Sequence, residues 1–278
     1  MFALNPKTMK LSRVKLVVTD MDGTLLNSRG DLDVRFFGLV RDLKSHGLKI
    51  AVASGRQYYS LVNKLQEVEE ELIFIAENGS IVMEGEKQLH IQPMSKELAM
   101  EIVRCLKKIG GKYIIVCGRK SAYIEQTDPR FMKPFLMHYD KYEVVDDLLA
   151  VEGDDFLKVT VCDLEGAEEN TLPHVEHLKG DLQVKLSGEI WVDFTHILAQ
   201  KGNALLKLQD IYDIPPEETI SFGDYLNDLE LFDHSYFSYA MANAHEEVIE
   251  KAAFKAKSND EGGVLLVLEE LLEGLKST

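Results

Sequence analysis

Short apolar runs rich in β-branched residues alternate with amphipathic helical stripes along the first part of the chain. Val14-Lys-Leu-Val-Val-Thr19, Leu48 to Ala53 and Leu72 to Ala76 have the length and makeup of strands buried on both faces. Between the first two, Asp33 to His46 carries apolar residues at 36, 37, 40 and 43, the spacing of one helix face. Asp33 is placed to cap that helix, and Gly47 to end it in a left-handed turn. Gln57 to Glu67 reads as a second helix. The order βαβαβ predicts a parallel, doubly wound sheet, because parallel strands need a helical crossover.

Near residue 81 the pattern changes. Residues 88–91, 112–117, 121–125, 156–161, 182–186 and 189–194 read as strands, with helical stripes near 96–109 and 166–178. Strands that follow one another directly predict an antiparallel sheet with helices on one face. After 201 the alternation returns: helix Gly202 to Tyr212, strand Thr219 to Phe222, helix Leu226 to Phe232, strand Phe237 to Met241. The expected fold is a Rossmann-like α/β core of residues 13–83 and 188–278. An α+β cap domain of residues 84–187 is inserted in it, and residues 1–12 form a flexible tail.

Composition narrows the function. The 278 residues hold 31 Lys+Arg against 47 Asp+Glu, a net charge of −16. The insert is acidic too, with 14 Lys+Arg against 19 Asp+Glu. No basic footprint for nucleic acid or an anionic membrane is present, although a local pocket for a small anion is compatible with this balance. The three cysteines, at 105, 117 and 162, form no CxxC and no zinc spacing, and read as packing residues in a reducing compartment. No apolar run approaches the roughly 18 residues of a spanning helix. The first ten residues lack a signal-peptide core, so Asn78-Gly79-Ser80 carries no meaning as a glycosylation acceptor. The expected location is cytoplasmic, without membrane partners. No residue pattern speaks to oligomeric state.

Chemistry concentrates at predicted strand ends. Asp20-Met21-Asp22-Gly23-Thr24-Leu25 follows the first strand directly. Sites in open α/β sheets lie beyond the carboxyl ends of the strands. Two carboxylates two residues apart can divide nucleophilic attack from proton transfer. A DxD alone is as well explained by a solvated turn; its place after a Val-Val-Thr strand favours a site. Ala53-Ser54-Gly55-Arg56 ends the next strand, where a hydroxyl and a backbone N–H at a helix start can grip a phosphate oxygen and Arg56 can add charge. Lys201-Gly202 precedes a helix; judged alone, the lysine reads as solvated. Gly223-Asp224-Tyr225-Leu226-Asn227-Asp228 follows another strand, and its acidic pair can hold a divalent cation with Asp20 or merely cap a helix. His138, His174 and His177 lack ligand spacing, Trp191 reads as core, and Arg119, Arg130 and Lys133 read as solvated surface.

These four signals, in this order, resemble the haloacid dehalogenase-like superfamily, and within it the Cof-type phosphatases with a large cap inserted after the third strand. The likeness extends to Glu77-Asn78-Gly79, Ala240-Met241-Ala242-Asn243-Ala244 and Ser258-Asn259-Asp260-Glu261-Gly262-Gly263-Val264. The resemblance implies a Mg²⁺-dependent phosphatase for small phosphorylated metabolites, foremost sugar phosphates. Asp20 would be its nucleophile and Asp22 its general acid and base. Ser54 and Lys201 would bind the phosphoryl group with the Met21 and Gly55 backbone and Asn227, with Arg56 and Asn78 also on the substrate side. Mg²⁺ would be held by Asp20, the Asp22 backbone carbonyl and Asp224, with Asp228 supporting its water shell. Tyr225 departs from the small residue more common there, and its bulk is expected to narrow the pocket. Thr19 and Ser54 are mild departures. A hexose-phosphate mutase and a non-enzymatic phosphometabolite-binding protein are the competing readings.

Overall fold

The computed structural model describes residues 11–178, 180 and 182–276. Most of the expected tail, residues 1–10, lies outside the described residues; Leu11–Arg13 is a turn of 3₁₀ helix with Leu11 buried.

In chain order the first segment contains β1 (Leu16–Asp20), α1 (Arg35–Ser45), β2 (Lys49–Ala53), α2 (Tyr58–Lys64), β3 (Ile73–Ala76), β4 (Ile81–Glu84) and β5 (Lys87–Ile91). There follow α3 (Lys96–Ile109), β6 (Tyr113–Gly118), β7 (Ala122–Ile124), α4 (Pro129–Phe135), β8 (Tyr142–Val144), β9 (Phe156–Cys162), α5 (Ala167–Asn170), α6 (Leu172–Val175), β10 (Leu182–Gly188) and β11 (Trp191–His196). The last segment has α7 (Lys201–Tyr212), β12 (Thr219–Gly223), α8 (Leu229–Asp233), β13 (Phe237–Ala240), α9 (Glu246–Lys251), β14 (Phe254–Lys255) and α10 (Gly263–Lys276). The chain divides into two units.

The larger unit comprises residues up to 55, 65–90 and from 200 onward. Its eight-stranded sheet has the order β14-β13-β12-β1-β2-β3-β4-β5. The strands from β14 to β3 pair in parallel, and β4 returns antiparallel to β3. On one face Leu16, Val18, Ala51, Ala53, Ile73 and Ile75 pack with Ala204, Leu205 and Leu208 of α7 and Leu231 and Phe232 of α8. Val17, Val52 and Phe74 alternate with them along the strands and are equally buried, as a sheet covered on both faces requires. Gly47 ends the turn after α1 at φ +87°, as expected. Asp33 accepts from the Arg35 N–H at 3.0 Å.

Register places the site. Asp20 is opposite Ala53, and Thr19 opposite Phe222. Asp20, Ser54 and Asp224 therefore emerge at the same carboxyl edge of the sheet, where β1, β2 and β12 end together.

The smaller unit comprises residues 56–64 and 91–199. Its six-stranded sheet runs β10-β11-β9-β6-β7-β8. One face packs on α3 through Val159, Val161, Val192 and Phe194 against Ile102, Val103 and Leu106. The helix α3 spans the expected range, with Ser95 accepting from the Leu98 N–H at its start. The expected continuous helix over 166–178 is instead two short helices and a 3₁₀ turn. Pro173 explains the break: it donates no N–H and crowds the carbonyl four residues back.

The domain boundaries differ from the expected 84–187. Residues 84–90 belong to the larger unit, because β4 and β5 extend its sheet. Residues 188–199 belong to the smaller one, because β11 pairs antiparallel with both β9 and β10. Residues 56–64 also group with the smaller unit. The Gln57 side chain accounts for part of this: its Oε1 accepts from the Lys141 N–H at 3.1 Å, and its Nε2 donates to the Lys141 carbonyl at 2.8 Å. None of the three cysteines forms a disulfide; burial raises the Cys162 thiol to about 12. No helix among the described residues is long and apolar enough to cross a membrane.

Candidate active site

Asp20 is the last residue of β1 and is buried. Lys201, the first residue of α7, reaches it from the far end of the chain and is only 1% exposed. Its Nζ donates to Asp20 Oδ1 at 2.5 Å and to Asp228 Oδ1 at 2.7 Å. The lysine that reads as solvated in isolation is therefore a buried cation between two carboxylates. Asp228 is fully engaged on its other oxygen, since Oδ2 accepts from the Asp224 and Tyr225 N–H groups at 3.1 and 3.2 Å. Asp224 accepts from the Thr24 hydroxyl at 2.7 Å. Carboxylate oxygens of Asp20, Asp224 and Asp228 lie within 4.8 Å of one another.

Charge in this cluster does not balance. Three carboxylates face one ammonium, largely out of water. Burial raises the Asp20 pKa well above the usual carboxylate value; Lys201 opposes that, while Asp228 and Asp224 add to it. Burial likewise raises Asp224 to about 6, against the Thr24 hydrogen bond and with the help of Asp228. Burial works against the charge of Lys201, but Asp20 and Asp228 outweigh it and keep its pKa above the ordinary lysine value. Asp20 Oδ2 is buried without a hydrogen-bond partner among the described residues. An uncommitted buried carboxylate oxygen, beside a second carboxylate and an excess of negative charge, fits a hard divalent cation with oxygen ligands. Asp22 is exposed and stands outside the three-carboxylate cluster.

Close approach explains the glycines. A Cβ on Gly23, at φ +82°, would lie 2.3 Å from Asp224 Oδ2, and one on Gly223 would lie 2.4 Å from the Asp228 Cβ. The turn after β1 and the turn after β12 thus meet with no room for a side chain.

The second motif sits beside them. Ser54 is buried; its N–H donates to the Ile75 carbonyl at 2.9 Å, and its carbonyl accepts from the Asn78 N–H at 3.0 Å. Asn78 adopts φ +54° and accepts at Oδ1 from Asn227 Nδ2 at 3.1 Å. A Cβ on Gly55 would lie 3.1 Å from the Asn78 amide. Ser54, Gly55, Asn78 and Asn227 therefore form one group. Arg56 falls in the smaller unit, where its Nη1 donates to the Met137 carbonyl at 3.4 Å. Tyr225 stands at the start of the turn that Asp228 closes. The residue is 56% exposed, with its ring edge-on to His245, while its backbone N–H serves Asp228.

Gly79 ties this group to Lys201. It has φ +98°, and a Cβ there would lie 2.3 Å from the carbonyl oxygen of Gln200, the residue before the lysine. Gly79→Ala is expected to lower the unfolding temperature, since a strained backbone costs about 1–3 kcal/mol. It should also reduce turnover per folded molecule about 10²-fold, because relief of the clash displaces the start of α7 and with it Lys201. Thermal unfolding and active-enzyme kinetics measure the two separately; unchanged turnover would contradict this coupling.

Three contributors have no role assigned from the sequence. Thr24 was read as part of a motif without a task, yet its hydroxyl orients Asp224. Asn243 and Asn259, in the two closing motifs, bond the turn that follows Asp20. Their amide type next to small residues was the available signal, but their target lies more than 200 residues away in sequence.

A sequence profile of the haloacid dehalogenase-like hydrolases matches residues 17–268. The Escherichia coli protein YbjI, named 5-amino-6-(5-phospho-D-ribitylamino)uracil phosphatase, is 32% identical over 267 residues, covering 94% of this chain and 97% of its own. The Bacillus subtilis protein YwtE, which bears the same enzyme name, is 25% identical over 296 residues, covering 94% and 99%. Among solved structures, SMU.1108c from Streptococcus mutans superposes with a TM-score of 0.83 at 29% identity, covering 94% of this chain and 99% of its own. The chain belongs to the haloacid dehalogenase-like hydrolases, in their Cof-type branch, and is a phosphoric monoester hydrolase.

Proposed function

We propose that the protein is a Mg²⁺-dependent phosphatase of small phosphorylated metabolites, foremost sugar and sugar-alcohol phosphates, acting through an aspartyl-phosphate on Asp20. The observation that carries this is the buried Asp20 carboxylate, held by Lys201 on one oxygen and uncommitted on the other, with a second carboxyl two residues on.

An oxygen of Asp20 attacks phosphorus as the ester bond breaks, and Asp22 gives its proton to the leaving alkoxide. Asp22 then takes a proton from water, the hydroxide attacks the aspartyl-phosphate, and phosphate leaves with Asp20 regenerated. Lys201 offsets the repulsion between the carboxylate and the phosphate dianion. The Ser54 hydroxyl and the Met21 and Gly55 N–H groups receive phosphoryl oxygens. Asp20, the Asp22 carbonyl and Asp224 would hold the cation, and Asp228 keeps Lys201 and the Asp224 turn in place. When bound, Mg²⁺ supplies charge neutralisation and a fixed orientation for the phosphoryl group. Phosphoryl transfer depends mainly on such positioning and charge.

The two curated relatives are named for a phosphorylated ribityl compound, a phosphate ester of a sugar alcohol. That compound enters the substrate panel beside hexose and pentose phosphates. Phosphate release should be lost in excess chelator and restored by Mg²⁺, with Ca²⁺ a poor substitute because its larger, looser coordination misplaces the reacting groups. Full activity in chelator would overturn the metal assignment. Conversion of glucose 6-phosphate to glucose 1-phosphate without phosphate release would make the enzyme a mutase instead.

A further inference from the structure

The turn that carries Asp22 is irregular backbone. The N–H groups of Leu25 and Leu26 both donate to the Met21 carbonyl, at 3.0 and 2.8 Å, which closes a tight loop directly after β1. The carbonyls of Gly23 and Leu26 are satisfied from a distance. Asn243 Nδ2 donates to the Gly23 carbonyl at 2.8 Å, and Asn259 Nδ2 donates to the Leu26 carbonyl at 2.9 Å. The two asparagines are joined, since the Asn259 N–H donates to Asn243 Oδ1 at 3.0 Å. Beyond them the Ser28 N–H donates to Asp260 Oδ1 at 2.8 Å.

Both ends of this brace are themselves fixed. The Met241 N–H donates to the Gly223 carbonyl at 3.1 Å, and the His245 N–H to the Asp224 carbonyl at 2.8 Å. Asn243 therefore rides on the segment that is bonded to the Asp224 turn. Asn259 sits in a 3₁₀ turn closed by Ser258 and Glu261, whose side chains and backbones cap each other. Asp22 is exposed, and the turn that carries it sets where it stands at the end of β1.

We propose that Asn243 and Asn259 are positioning residues that hold the Asp22 turn at a set distance from the Asp224 turn, so that the Asp22 carboxyl meets both the leaving oxygen and the attacking water. The proposal rests on Asp22 as the acid and base of the proposed mechanism. Loss of the brace then affects the Asp22-dependent steps more than attack by Asp20, which is anchored separately on β1 and Lys201.

The test uses the full chain with Mg²⁺ and p-nitrophenyl phosphate, whose leaving group needs little protonation. First-turnover release of p-nitrophenol reports attack by Asp20; the steady-state rate reports dephosphorylation. Asn243→Ala and Asn259→Ala should each lower the steady-state rate about tenfold or more, the lower range for lost proton-transfer help. The first turnover should change less than about threefold, and phosphoenzyme should accumulate at Asp20 by mass spectrometry. Asn243 is exposed, so water can hydrate the freed carbonyl and the variant is expected to fold. The ratio of the two rates does not depend on the folded fraction, and Asn243→Ser provides a milder second variant. Equal loss in both phases, or no loss, would overturn the brace. Asp22→Asn run in parallel separates the two ideas: if it accumulates phosphoenzyme and the asparagine variants do not, the brace alone fails; if it accumulates none, the assignment of Asp22 fails.

Discussion

Asp20→Asn is expected to abolish turnover and leave the protein unlabelled by substrate, while Asp22→Asn becomes trapped as a phosphoprotein. An amide at position 20 cannot attack phosphorus, and removal of an enzymic nucleophile typically costs on the order of 10⁶-fold. The fold should not suffer. Burial already disfavours the charged form of Asp20, and Asp228 and Asp224 add like-charge repulsion, so a neutral isostere removes an unfavourable charge while Lys201 keeps its bond to Asp228. The unfolding temperature is expected to hold or rise, as is common when a strained catalytic group is neutralised. Asp22→Asn keeps the nucleophile and loses the proton shuttle, which typically costs about 10²–10⁴-fold. With an aryl phosphate the first step proceeds and the second stalls, so an acid-stable, hydroxylamine-sensitive phosphoprotein accumulates. Mass spectrometry should place the label on Asp20. Label elsewhere, or an undiminished rate in Asp20→Asn, would overturn the assignment.

Lys201→Met should be the most damaging single change to stability within the site. The ammonium is buried and bonded to two carboxylates, and a third carboxylate lies in the same cluster. Removing one partner of a buried ion pair typically costs about 3–5 kcal/mol, because the remaining charges stay out of water uncompensated. Methionine fills similar space, so the loss is electrostatic rather than a cavity effect. Urea unfolding without divalent cation should show this loss, and added Mg²⁺ should recover part of it by binding the folded state. Turnover should fall about 10²–10³-fold even with saturating Mg²⁺, the usual cost of losing one preorganised stabiliser of transition-state charge. A variant of wild-type stability in chelator would show that Lys201 does not hold the carboxylates together.

Reading the chain from residues alone reached the parallel arrangement of the first three strands and the helix Lys96–Ile109, because both follow from local periodicity. It missed the break at Pro173 in an otherwise apolar stripe. It also misplaced the end of the insert, since β11 has the same makeup as a core strand and only its pairing with β9 and β10 assigns it.

The acidic, hydroxyl and glycine motifs were legible because each is a local solution to a local problem: an apolar strand ends, the chain must turn, and residues that tolerate the turn stand at the edge where ligands bind. Those motifs named Asp20, Asp22, Ser54 and Asp224 without knowledge of any contact. Tertiary structure alone decided which of them share a charge. Lys201 and Asp20 are 181 residues apart, and only the parallel register of β1 with β12 and the start of α7 beneath them turns a lysine of ordinary sequence surroundings into a buried cation. The same holds for Asn243 and Asn259, whose amides complete carbonyls of a turn formed at the other end of the chain. Periodicity encodes which side of an element is buried, but the free energy of an ion pair or a hydrogen bond depends on distance and solvent exclusion, and those exist only once the strands are in register.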